Sequence, residues 1–266
     1  MRLGILSRLR HPSAEYGPAI VLEGLSLRRA SHLIAISEFT RNDILKKYPT
    51  IAADDVSVIY LGATPRAALA RHEDVERLKR LWGIESDEDL LLYVGRLEER
   101  KGISYLLRAL AKLNRENRTK LLLIGAGNPR PYQKRASELK VSKEVVFAGR
   151  VDEGSLNASY GMATALVHPA SMEGFGLVIA DAVASGIPVI STRVGAIPEI
   201  VRDGIDGQLV NYGDTIALAE AIRGVLESPK DFSTHGGRSE QSRFTWEKTS
   251  RETASLYERL VMAGSS

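Results

Sequence analysis

From residue 83 onward the chain alternates short apolar runs with polar-apolar segments of helical length. Runs rich in Leu, Ile and Val at Leu90–Val94, Lys120–Ile124, Val145–Phe147, Ala165–His168, Pro188–Ser191 and Gly207–Val210 predict six strands. Helices are predicted between and after them over 102–114, 131–139, 155–161, 175–185, 196–202 and 215–226. Continuous apolar strands, each followed by a helix, are what a parallel sheet covered on both faces requires. The predicted fold class is therefore α/β, a Rossmann-like doubly wound parallel sheet.

Upstream the pattern changes. Leu33–Ile36 and Val56–Tyr60 predict two further strands around a helix at Phe39–Tyr48, which Ser37 caps, Glu38 supports in its first turn and Pro49 closes. Gly62 and Pro65 mark a hinge, and 71–82 predicts a helix ending before Gly83. The first 30 residues read weakly, with one amphipathic stretch around Ile20–Leu27. After a polar Ser, Gly and Arg-rich stretch, the last helix runs from Trp246 to Met262, with Trp246, Leu256, Tyr257 and Leu260 as its packing residues. Three parts are expected: 1–62, 63–245 and the closing helix 246–266.

Composition narrows the function classes. A chain of 266 residues that is 44% hydrophobic and 26% charged can bury a sizeable core, which argues against disorder. The net charge of +3 comes from interspersed cations and anions, so no nucleic-acid surface is implied. With no cysteine there are no disulfides, thiolate nucleophiles or cysteine zinc sites, which fits a cytoplasmic protein. The basic start lacks the sustained apolar run of a secretory signal, and runs such as Leu90–Val94 are too short to cross a bilayer. Peripheral attachment to the inner face of a membrane stays open.

In a doubly wound sheet, ligands collect at the carboxyl ends of the strands, where helix N-termini present free N–H groups. Arg96 and Lys101 flank the turn after one strand, Gly95 preceding them and Gly102 opening the next helix. They are either two solvated surface cations or a pair that neutralises a diphosphate. Glu173 stands ahead of the predicted 175–185 helix and Asp181 within it. Eight helical residues rise about 12 Å and turn by about 80°, which suits two ends of one extended ligand better than acid-base work across one bond. Gly174 and Gly176 permit close approach of a sugar to the backbone or form an ordinary tight turn, and Phe175 between them packs inward. His168 closes a strand, either donating to a phosphate or sugar oxygen or resting as a satisfied buried histidine. It has no partner at ligand spacing, so no metal is expected. Gly125-Ala126-Gly127 lacks the third glycine of a dinucleotide fingerprint, and Phe147 stands where a ribose-binding acid belongs.

These loops together resemble the retaining glycosyltransferases of family four, the glycosyl transferases group 1 class, which have the GT-B fold. The resemblance is carried by Val94-Gly95-Arg96-Leu97 with Lys101-Gly102, by Val146 to Val151, and by His168-Pro169-Ala170-Ser171 through Glu173-Gly174-Phe175-Gly176-Leu177. It continues through Asp181-Ala182 and Ala184 to Ile190, to Gly195-Ala196-Ile197-Pro198-Glu199, and covers the chain from about residue 30 to its end. What it implies is a donor site for a UDP- or GDP-linked sugar. Arg96 and Lys101 hold the diphosphate, Glu173 and the backbone of Gly174 to Leu177 the hexose, position 181 the ribose, and Val151 and its neighbours the base. It also implies front-face attack with retention of configuration, no cofactor beyond the donor, and a saccharide or lipid-linked acceptor.

Two departures are visible. The family pattern has Glu where Asp181 stands, shorter by roughly 1.5 Å of reach, which predicts weaker ribose binding. The first, acceptor-side domain is represented only by a strand-helix-strand remnant within 1–62, without its glycine-rich loop. A partner polypeptide is therefore expected on that side, and the alternative function is a donor-binding module that works with it.

Overall fold

The computed structural model describes residues 24, 26, 27, 29–113, 118–233 and 243–264. The amphipathic stretch around 20–27 lies largely outside them, as does most of the polar stretch before the last helix. Two sheets form. β1 (Leu33–Ala35) and β2 (Val56–Val58) pair in parallel, linked by α1 (Glu38–Lys47). Ser37 caps α1 as expected, its hydroxyl accepting the Thr40 N–H at 3.0 Å.

The larger sheet contains β3 (Asp89–Val94), β4 (Thr119–Ile124), β5 (Val145–Gly149), β6 (Ala165–His168), β7 (Val189–Thr192) and β8 (Gly207–Val210). Their order is β5-β4-β3-β6-β7-β8 and every pairing is parallel. Alternate residues explain the unbroken apolar strands. Leu91, Tyr93, Leu121 and Leu123 enter one core cluster, while Leu90, Leu92, Leu122 and Ile124 enter another on the opposite face.

The first face is covered by α3 (Ile103–Leu113), α4 (Arg130–Glu138) and α8 (Thr215–Glu227). The second is covered by α5 (Glu153–Met162), α6 (Leu177–Ala184) and α7 (Ile197–Ile200). α2 (His72–Trp82) packs on α5. A short helix, α9 (Pro229–Ser233), follows α8 where the sequence pattern predicted only polar chain. In the closing helix α10 (Trp246–Gly264), Leu256 is buried, while Trp246 and Tyr257 stay partly exposed. Trp246 nevertheless lies against Gly62, and Thr249 donates its hydroxyl to the Tyr60 carbonyl at 2.7 Å.

The order of the larger sheet places the site. From β3 the chain builds outward to β5, then crosses back to lay β6 against the other side of β3. Adjacent strand ends whose connections leave in opposite directions open a crevice, here between the loops after β3 and β6. One predicted boundary is corrected. α6 begins at Leu177, because Gly176 stands at its N-terminus with a left-handed φ of 98° that no helix continues through. Glu173 therefore sits in a loop, and the helical rise and rotation expected for the whole 173–181 interval do not apply.

Candidate active site

The crevice gathers three of the predicted residues around one carboxylate oxygen. Lys101 Nζ lies 2.6 Å from Glu173 Oε2, and His168 Nε2 lies 3.0 Å from the same atom. Glu173 Oε1 has no protein partner among the described residues. Burial by itself raises the Glu173 pKa, but the hydrogen bond from His168 and the charge of Lys101 outweigh it and hold the carboxyl at about 2. Burial lowers the His168 pKa more than Glu173 raises it, so the imidazole is neutral. Its Nδ1 is buried without a partner, and a proton there lacks an acceptor, so the Nε2–H tautomer that donates to Glu173 is favoured. His168 is thus a buried support, stacked on Tyr93 with ring centroids 5.9 Å apart.

Close backbone contacts bring these side chains together. A Cβ on Gly102, whose φ is 76°, meets the Pro169 carbonyl oxygen at 1.9 Å, and Ser171 N–H donates to the Arg100 carbonyl at 2.8 Å. The β3 and β6 loops are therefore in direct backbone contact, which is what lets Lys101 reach Glu173. From the other side, Gly195, with φ 57°, lies as close to the Glu173 carbonyl, and Ala196 N–H donates to it at 3.0 Å. The Gly125 backbone approaches the carbonyl of Gly95, so the glycines after β4 serve loop packing.

Arg96 stands at the mouth, mostly exposed, with its Nε 2.7 Å from Glu98, which also binds Arg100 at 2.8 Å. Its backbone is anchored by the Tyr93 hydroxyl, donating to the Arg96 carbonyl at 2.8 Å. Phe175 packs inward, as expected, against Tyr60 and Phe244. The N–H groups of Gly174, Phe175, Gly176 and Leu177 have no acceptor among the described residues. Val151 is half-buried against the second core cluster beyond β5.

Asp181 is arranged differently. Its Oδ1 accepts the Thr64 N–H at 2.8 Å and its Oδ2 accepts Arg66 Nε at 2.6 Å. Arg66 also donates to Asn157 at 3.1 Å and lies over the Tyr160 ring. Sequence reading missed Arg66, because nothing in its local pattern points at a residue 115 positions away. It also missed the contacts of Ser37 and Thr40 with the Gly174 carbonyl, although the Ser37 cap marked that turn. Among the described residues, no group of three or more His, Cys, Asp or Glu is arranged to hold a metal ion, and no helix is long and apolar enough to cross a membrane.

The family model described as Glycosyl transferases group 1 matches residues 74–242, which hold Arg96, Lys101, His168, Glu173 and Asp181. The chain belongs to that family. Among the relatives it matches, an uncharacterized glycosyltransferase of Methanocaldococcus jannaschii is 30% identical over 243 residues, covering 89% of this chain and 62% of its own length. The alpha-maltose-1-phosphate synthase of Mycobacterium tuberculosis is 29% identical over 257 residues, covering 90% and 66%. The chain thus spans about three fifths of the length of the relatives it matches. Sucrose-phosphate synthase from Thermosynechococcus elongatus shares the fold with a TM-score of 0.80 at 28% identity, over 95% of this chain and 65% of that one. The Anabaena HepE complex with UDP-glucose has a TM-score of 0.80 at 22% identity, over 90% and 67%. The six-stranded α/β sheet is that of the GT-B glycosyltransferases.

Proposed function

We propose that this chain is the donor-binding part of a retaining family-four glycosyltransferase that moves a hexose from a UDP- or GDP-linked sugar to a saccharide or lipid-linked acceptor. The observation that carries the reading is the ionised Glu173, held on one oxygen by Lys101 and His168 with the other oxygen unpartnered, beside four backbone N–H groups without acceptors. A carboxylate and a row of N–H groups match the hydroxyls of a sugar, and Lys101 and Arg96 match a diphosphate. The HepE complex with UDP-glucose, which shares the fold, supports this ligand class.

In the proposed reaction the bond between the anomeric carbon and the diphosphate oxygen breaks. The acceptor hydroxyl oxygen bonds to that carbon from the same face, and its proton passes to the departing diphosphate. Lys101 and Arg96 stabilise the charge that grows on the leaving group. His168 supports Glu173 from behind instead of touching the donor.

The chain spans about three fifths of the length of its relatives, and the second reading is a donor-binding module whose acceptor side is supplied by further polypeptide. Calorimetry with UDP-glucose and GDP-mannose, followed by assay of nucleotide release with and without acceptors, separates the two. Binding with turnover supports the enzyme, binding without turnover supports the module, and binding of neither overturns both. Arg96→Ala and Lys101→Ala should weaken free UDP or GDP binding; unchanged affinity would remove those residues from the site.

A further inference from the structure

Glu199, on α7, makes contacts that the donor reading does not use. Its carboxylate accepts the N–H groups of Glu38 at 2.9 Å and Phe39 at 2.8 Å, the first two residues of α1. It also accepts the Tyr60 hydroxyl at 2.9 Å. The first N–H groups of a helix have no partner within it, so Glu199 completes from across the crevice the cap that Ser37 begins. At the same helix end the hydroxyls of Ser37 and Thr40 lie 2.7 and 3.2 Å from the Gly174 carbonyl oxygen. The preceding carbonyl, that of Glu173, is held by Ala196 N–H in the segment that leads to Glu199.

Two successive peptide groups of the donor loop are therefore gripped by their oxygens, one from α1 and one from the 195–199 segment. Glu199 joins the two grips. A peptide group is planar and trans, so fixing a carbonyl also fixes the N–H on the other side of the same plane. Those N–H groups belong to Gly174 and Phe175, and neither has an acceptor among the described residues.

We propose that Glu199 is a positioning residue that, by docking the start of α1 on the Gly174 carbonyl, aims the Gly174 and Phe175 N–H groups at the sugar of the donor. This rests on the reading that the 173–177 loop holds the hexose. Affinity for the sugar part of the donor then depends on a carboxylate that never touches it, while affinity for the nucleotide part does not.

The test compares, on the full chain, dissociation constants for UDP-glucose and UDP, or GDP-mannose and GDP, whichever pair the parent binds. Glu199→Ala should weaken the nucleotide sugar about tenfold, the size of one net hydrogen bond, and the free diphosphate less than about twofold. Amide exchange at residues 38 and 39 should accelerate. Thr40→Val, which keeps the backbone cap and removes one hydroxyl from the Gly174 carbonyl, should shift the same ratio in the same direction by about threefold. An unchanged ratio in both variants, with faster exchange at 38 and 39, would make Glu199 a helix cap and nothing more. If the parent binds neither nucleotide sugar, the donor reading fails and this proposal falls with it; binding by the parent with an unaltered ratio removes the proposal alone.

Discussion

The loop after β6 and the helix behind it carry two carboxylates, the half-buried Glu173 and the buried Asp181, whose surroundings are built on different plans. Glu173 receives Lys101 and His168 on a single oxygen and keeps the other free of protein partners. Asp181 gives one oxygen to a backbone N–H and the other to Arg66, and Arg66 is itself held by Asn157. Low exposure and a nearby opposite charge are common to both pockets. What separates them is an oxygen without a protein partner among the described residues, present at Glu173 and absent at Asp181, and that is the property a ligand can use.

Substitutions can break this comparison, and the largest effect is expected at the pocket where both oxygens are bonded. Asp181→Ala takes from the half-buried Arg66 its closest ion-pair partner and should destabilise the fold by roughly 3 kcal/mol, lowering the melting temperature by about 10 °C. Donor affinity of the folded protein should stay within about threefold of the parent. Normal melting with lost affinity would instead make position 181 a ribose contact, as the family resemblance implies.

Next comes acid. Because the folded Glu173 pKa is about 2 against an ordinary 4.5, its stabilisation is complete above pH 4.5 and is lost as pH falls towards 2. The loss is on the order of 3 kcal/mol. His168, held neutral by burial, adds to the loss from about pH 6.5 downward, since the unfolded chain takes up its proton more readily. Urea midpoints measured against pH for the parent and Glu173→Gln should converge between pH 4.5 and 2; a constant gap would contradict the low pKa.

Glu173→Gln at neutral pH should weaken nucleotide-sugar binding by about thirtyfold, the scale of a lost charged hydrogen bond, and lower melting less than Asp181→Ala does. A larger melting loss than that of Asp181→Ala would reverse the ranking of the two pockets. The smallest effect is expected at exposed Arg96, where replacement by Ala should change stability by less than about 0.5 kcal/mol while weakening diphosphate binding several-fold, measured by calorimetry.

Much of this was legible along the chain. Residues inside a strand face cores that any apolar side chain satisfies, so runs such as Ala165–His168 and Gly207–Val210 gave their strands without knowledge of neighbours. The Ser37 cap was equally local. The strand-end positions of Lys101, His168 and Glu173 followed from the same periodicity. Their convergence did not, because it depends on backbone contacts at Gly102 and Gly195 between segments far apart in sequence.

What the amino-acid sequence alone determined is the alternation of strands and helices, the parallel α/β class and the loops in which a ligand could be held, since each depends on periodicity and turn chemistry within a few residues. Only the tertiary structure decided which carboxylate keeps an oxygen free, which histidine is a support and which distant segments grip the 173–177 loop. Those outcomes depend on which atoms fill the last hydrogen-bonding positions around a buried group, and the chain's path through space sets that.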